Sequence, residues 1–299
     1  GGDRPFYMQG GFIEPHRRPD LGLSFGPAPA DEEGGIYIPP YIQDTPGARR
    51  EFAEFQGAIK KLDGAVGRIL SGLESTEFAD NTLVIFAADH GIPFPRAKLS
   101  LYDPGIEVAF IMRWPAGGLG SGRVEERMVS NVDYLPTLLD AAGVKVPSNV
   151  QGRSLLPGLK AGDGEFRDAV FGEMTYHGYY DPRRCIRTRK HKLILNFSSS
   201  FAIQEPSQQW HPATHPAVPE RPEDAYHEHI ELYDLENDPN EFMNVADDES
   251  MRGVRDDLMR RLYDWMRETG DPLLGGVPVS PHHQKVLSFL EGVKDEEKK

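Results

Sequence analysis

Apolar residues fall along this chain in two patterns, one periodic and one continuous. Phe52, Phe55, Ile59, Leu62, Val66, Ile69 and Leu73 recur at steps of three and four, which predicts one face of a long helix. Pro46 stands near its start, where a missing N–H costs nothing. Thr82 to Ala88 (TLVIFAA) and Glu107 to Arg113 (EVAFIMR) are continuous runs, as expected for central strands covered on both faces. Arg4 to Phe12 (RPFYMQGGF) reads as a further buried strand that enters the loop 13–19. Residues 20–46, rich in Gly, Pro and Asp, predict a long irregular loop. Asn131 to Ala142 predicts a short helix closed by Gly143.

The pattern changes near residue 165. Strand-like pieces at Ala169–Met174, Arg184–Phe197 and His229–Tyr233 are interrupted by a polar stretch rich in His and Pro at 198–228. An amphipathic helix follows, with Val254, Leu258, Leu262 and Trp265 on one face. This predicts a small antiparallel sheet with a helix packed on it. From Val293 the chain reads as a charged, frayed tail. The expected division is 1–165, 166–275 and a tail at 276–299.

Composition narrows the classes of function. Thirty-three Lys and Arg against 47 Asp and Glu leave a formal charge of −14 over 299 residues. That balance disfavours a nucleic-acid partner, whose binding draws on clustered cations. The longest apolar stretch, Leu83 to Ala88, is far short of the roughly 20 residues of a membrane span. Cys185 is the single cysteine, which excludes intramolecular disulfides and Cys-rich zinc sites. No positively charged, apolar leader follows Gly1, so any signal peptide is expected to be absent or already removed.

Candidate chemistry gathers at Asp89–Gly105, a loop at the carboxyl end of a strand, where open α/β sheets place their ligands. Asp89 and His90 suit half of a metal site; a turn-capping Asp beside a packed His fits the same pattern. Lys98, eight residues after His90, either meets an oxyanion or is a solvated surface lysine. His16, in the cationic run Pro15–His16–Arg17–Arg18, is a proton donor to a leaving group or a surface-loop histidine. Cys185-Ile-Arg-Thr-Arg189 has the look of a nucleophile motif, but mid-strand it reads as a buried structural thiol. His227-x-His229 and His282–His283 offer metal-ligand pairs, but paired histidines in polar segments read more readily as solvated.

Thr82–Pro115, TLVIFAADHGIPFPRAKLSLYDPGIEVAFIMRWP, resembles the sulfatases of the alkaline-phosphatase superfamily, and within them the bacterial heparan N-sulfatase-like branch. PFYMQGGFIEPHRRP (5–19), VSNVDYLPTLLDAAGVKVP (129–147), QGRSLLPGL (151–159), ELYDLENDPNEFMNVAD (231–247) and DWMRETGDP (264–272) extend the likeness from residue 5 to about 272. The resemblance implies an α/β fold: a sulfatase sandwich with a large mixed sheet flanked by helices, plus a small C-terminal antiparallel sheet with a helix. It implies a periplasmic or secreted hydrolase of sulfate esters or sulfamates, with a sulfated small molecule or glycan as partner. A formylglycine, made from Cys or Ser in a C/S-x-P/A-x-R motif, attacks sulfur beside a divalent metal, Ca²⁺ first and Mn²⁺ or Zn²⁺ as alternatives. Asp89 and His90 occupy metal-ligand positions. Lys98 takes that of the sulfate-binding base, and His16 that of the sulfate-facing histidine. Arg96 and His177 are further substrate-binding positions.

Three departures shape what is expected. This sequence has no C/S-x-P/A-x-R motif, and Cys185 carries Arg187 where Pro or Ala belongs, so the formylglycine and the two early metal-binding Asp residues should lie in a segment before Gly1. His90 stands where many sulfatases have Asn, as it does in the superfamily's phosphonate and phosphate ester hydrolases. Ile13 stands where many have His. Alternatives to a sulfatase are thus a phosphonate or phosphate ester hydrolase on the same scaffold, or a non-catalytic sulfoglycan-binding remnant.

Overall fold

The computed structural model describes residues 5–18, 25–26, 29–31, 35–120, 122–162, 166–177, 180–202, 217, 225–277 and 279–296. Helix α1 (Pro46–Glu74) starts at Thr45, whose hydroxyl accepts from the Ala48 N–H at 3.1 Å, with Pro46 in the first turn. Its first half buries Phe52, Phe55 and Ala58 against Phe25, Ile36, Ile42 and Phe94. Phe52 stacks on Phe94 with ring centroids 4.0 Å apart. Beyond Ala58 the predicted stripe emerges, leaving Ile59 39% and Ile69 45% exposed.

Strands β1 (Val84–Ala87) and β2 (Phe110–Arg113) form an antiparallel ribbon in the register Val84↔Arg113 to Ala87↔Phe110. The expected large mixed sheet is not found among the described residues, where this ribbon has two strands and is half-buried. A continuous apolar run announces that both faces want cover, but it does not say which polypeptide provides it. Residues 5–13 differ likewise from the expected strand. Having no ladder partner there, they run exposed, with Tyr7 73% and Met8 69% accessible; Arg4 lies outside the described residues.

Between the ribbon strands lies the single-turn helix α2 (Asp103–Ile106). Helix α3 (Tyr134–Ala141) continues a 3-10 turn at Asn131–Asp133, and Gly143 ends the segment at φ +67°, as predicted. Asp133, fully buried, accepts from Nε and Nη2 of Arg167, from Ser130 N–H at 3.0 Å and from Arg153 N–H at 2.9 Å. It thereby joins α3 to the stretch around the short helix α4 (Leu156–Ala161).

The C-terminal sheet is antiparallel in the order β3 (Ala169–Tyr176), β4 (Tyr180–Thr188), β5 (His191–Asn196), β6 (Ile230–Asp234). The run Arg184–Phe197 is thus two strands rather than one. No Gly, Pro or Asn marks the turn between them. Instead the Thr188 hydroxyl donates to His191 O and accepts from His191 N–H, both at 3.1 Å.

The strand period of two divides this sheet's core. Ile186, Leu193 and Leu232 face helix α5 (Arg252–Thr269), meeting Leu258, Leu262 and Met266. Cys185, Ile194 and Tyr233 face the opposite way, onto Leu101 and Tyr102 of the loop after β1. Cys185 is the buried structural thiol expected, its pKa pushed up to about 11 by burial. Of the stretch 198–228, residues 203–216 and 218–224 lie outside the described residues. The tail is not frayed throughout: α6 (Pro281–Glu296) is a regular helix. No helix of the described residues is long and apolar enough to cross a membrane.

Leu262 has no exposure, so Leu262→Ala is expected to cost about 2–5 kcal/mol of folding free energy. Urea denaturation measures this, and a loss below about 1 kcal/mol would contradict the packing of α5 on the sheet.

Candidate functional site

The site is built where β1 ends. Ala88 still donates to Ala109 O at 3.0 Å, and the chain then turns away at Asp89. Gly91 permits that turn. Its N–H reaches Gly105 O at 2.9 Å, and a Cβ there would sit 1.8 Å from Pro104 O. Gly105 is equally constrained, since its Cβ would lie 2.5 Å from both Ala97 O and Ser100 O. Two stretches of one loop therefore lie backbone on backbone. Lys98 N–H closes the first on Ile92 O at 3.0 Å, and the Ser100 hydroxyl donates to Arg96 O at 2.7 Å.

This folding opens a cleft of about 1080 Å³. Asp89, His90 and Lys98 line it from the loop, Tyr134 from α3, and Tyr176 and His177 from the end of β3. Four of the six residues singled out in the sequence are thereby brought together. Arg96 and His16 are not among them. The Arg96 guanidinium is 2% exposed, donates to Asn240 O and Glu241 O, and covers the Tyr102 ring at 3.9 Å. A charge is visible in a sequence; its burial is not. His16 is exposed on its own loop, outside the cleft lining, with Nδ1 2.6 Å from Arg17 O. Its neighbour Arg17 is turned inward onto Glu51 at 3.2 Å and over Phe25.

Within the cleft the charges act on one another. Burial pushes the Lys98 pKa down, and the nearby Asp89 carboxylate partly restores it. Burial pushes His177 down as well, helped by the positive fields of Lys98 and His90. Arg127 and Arg187 also line the cleft but are engaged, by Glu125 at 2.5 Å and Asp103 at 3.0 Å. Lys98 has no ion pair among the described residues.

His90 and Asp89 sit as a pair. His90 Nδ1 lies 2.8 Å from Gly91 O, a pure acceptor, so this nitrogen carries the proton and leaves Nε2 its lone pair in the neutral ring. That nitrogen lies 3.7 Å from Asp89 Oδ1, so the two donor atoms face one another across a gap open to a shared cation. The donor chemistry fits part of a metal site. Among the described residues, however, no three His, Cys, Asp or Glu are grouped to hold an ion, so a metal here would need further ligands.

The sequence reading did not single out Tyr134, Tyr176 or the Arg187–Asp103 pair. An aromatic at a strand end next to His177 was the available signal for Tyr176. Nothing local marks the pair, whose members are 84 residues apart.

Residues 1–144 match the family profile described as sulfatase, and residues 94–205 match that described as N-sulphoglucosamine sulphohydrolase, C-terminal. The N-sulphoglucosamine sulphohydrolase of Homo sapiens is 30% identical over 315 residues, covering 90% of this chain and 62% of the human protein. The chain belongs to the sulfatase family. This sulfatase-family chain thus spans less than two thirds of the length of that relative, at 62%. A protein solved in complex with its substrate D-glucosamine-2-N,6-O-disulfate has the same fold, with TM-score 0.58 and 24% identity over 75% of this chain and 42% of the other. The phosphonate monoester hydrolase of Agrobacterium radiobacter superposes with TM-score 0.55 and 25% identity, over 79% of this chain and 44% of that one.

If Lys98 and His177 share the cleft as described, Lys98→Met removes a positive neighbour and raises the His177 pKa. An NMR titration of the ring should give a wild-type midpoint below the usual 6.5 and a higher one in the variant. Because the folded pKa is the lower one, His177 lowers stability as the pH falls through 6.5 towards that midpoint. An unmoved midpoint in Lys98→Met would separate the two side chains.

Proposed function

We propose that this sulfatase-family chain contributes the anion-facing half of a site that hydrolyses sulfate ester or sulfamate groups of sulfated glycans. The observation that carries the reading is the cleft that gathers Asp89, His90, Lys98 and His177. Lys98, half-buried and without an ion pair among the described residues, is the group that meets sulfate oxygens. Partial burial strengthens that attraction relative to water. His177, held neutral more readily than a free histidine, donates or accepts a hydrogen bond at the substrate without adding charge. Tyr176, 52% exposed beside it, offers a flat face to a sugar ring. Asp89 and His90 are two ligands of a divalent cation, Ca²⁺ by its preference for oxygen, or Mn²⁺ or Zn²⁺ by the imidazole. When bound, such a cation neutralises charge on the substrate oxygens. His16 stays in this reading only as a group brought in by a rearranged loop, and Arg96 leaves the substrate set.

The attacking formylglycine is assigned to polypeptide outside these 299 residues, because the sequence contains no C/S-x-P/A-x-R motif. Binding without turnover is therefore expected of this chain. Calorimetry should detect N-sulfoglucosamine binding that Lys98→Met weakens about tenfold, the loss of one charge-assisted contact. An aryl sulfate and N-sulfoglucosamine should both remain intact. Turnover that Asp89→Ala abolishes would overturn the assignment of the nucleophile.

A second reading, hydrolysis of phosphonate or phosphate esters, is motivated by His90 and the likeness to a phosphonate monoester hydrolase. Competition separates the two. Displacement of N-sulfoglucosamine by phenylphosphonate more readily than by phenyl sulfate would favour the second.

A further inference from the structure

Among the described residues, three that are not glycine hold a left-handed backbone: Arg96 at φ +63°, Leu99 at +69° and Glu241 at +57°. Each conformation is costly for a side chain with a Cβ and persists only where surroundings impose it. All three belong to one assembly, and Lys98 stands between the first two.

The Arg96 guanidinium reaches across 144 residues to the turn after β6, donating through Nη2 to Asn240 O at 3.0 Å and Glu241 O at 2.9 Å. The Glu241 side chain, with no exposure, answers in the other direction. Its Oε2 accepts from Asp103 N–H at 2.6 Å, and its Oε1 lies 2.7 Å from Lys192 Nζ. Lys192 also holds the Asp103 carboxylate at 2.5 Å. The loop is thus gripped two residues before Lys98 and again five residues after it, by the same turn.

We infer that Arg96 and Glu241 form a clamp whose function is to position Lys98, the strained backbone at Arg96 and Leu99 being the means by which its stem is aimed into the cleft. A lysine has four rotatable carbons and loses much freedom on engaging an anion, so one held in advance binds at lower entropic cost. Neither clamp residue lines the cleft: Arg96 and Glu241 are positioning residues. The inference rests on the reading of Lys98 as the anion-facing group.

Reductive ¹³C-methylation of the full chain tests it. The exposed Lys145, with no ion pair among the described residues, provides the mobile reference, and fully buried Lys192 escapes modification while the fold holds. In wild type the Lys98 dimethyl signal, assigned with Lys98→Arg, should relax at least about twice as fast as that of Lys145, as a restrained group does. In Arg96→Lys, and in Leu99→Gly, which accepts the left-handed backbone without strain, the Lys98 rate should fall to that of Lys145. Leu99→Gly should do so with an unchanged or higher melting temperature. A Lys98 rate unchanged in both variants, with Lys192 unmodified, overturns the clamp. If Lys192 becomes modified in Arg96→Lys, that variant has opened and Leu99→Gly alone decides. Added N-sulfoglucosamine should shift the wild-type Lys98 signal. Absence of that shift counts against the anion-binding reading and leaves the mobility comparison to judge the clamp.

Discussion

An ammonium with no access to water must find its counter-charge where it stands, and Lys192 on β5 finds two, Asp103 at 2.5 Å and Glu241 at 2.7 Å. Arg187 on β4 adds the second cation at 3.0 Å from Asp103, so the cluster is balanced. The balance shows in the titration of its members. Burial alone would raise Asp103, but Lys192 and Arg187 outweigh it and hold the carboxyl below the usual range. Burial raises Glu241, with Lys192 opposing. Removing any one member would leave another charge uncompensated in the interior. The loop that carries the cleft residues therefore cannot detach from the C-terminal sheet without exposing two charge pairs, and the position of the site is decided by residues remote from it in sequence.

That remoteness explains what the sequence disclosed and what it withheld. The stripe through Phe52 and Phe55 identified α1, because a local period reports a local element. Gly143 and the apolar face of α5 were legible for the same reason. The β4–β5 turn was hidden because a threonine hydroxyl does there what glycine does elsewhere. The continuous run in β1 reads as a strand covered on both faces, whereas among the described residues β1 is half-buried in a two-stranded ribbon. Asp89, His90, Lys98 and His177 were singled out by chemistry-bearing types and family likeness, and all four line the cleft. Arg96 is buried away from the cleft lining, and this was not legible because its charge is a property of the residue and its burial a property of the fold.

The sequence carries a formal −14, so on the reading proposed above a sulfated ligand would approach against the field of the whole molecule. Selectivity must then come from short range. Of the cationic side chains lining the cleft, Arg127 and Arg187 are committed to carboxylates, and Lys98 remains. Asp89 beside it offsets part of that charge. On the reading proposed above, anion binding would therefore strengthen when a cation occupies the Asp89–His90 pair.

The backbone stacking of Gly91 on Pro104 and of Gly105 on Ala97 and Ser100 bears on how any mutational map of this protein should be read. Neither glycine offers a functional group, yet a single added carbon at either would meet a carbonyl oxygen well inside contact distance. Both positions would rank beside Lys98 in intolerance, and a map scored by function alone would count as chemistry what is, at those two places, a shortage of room.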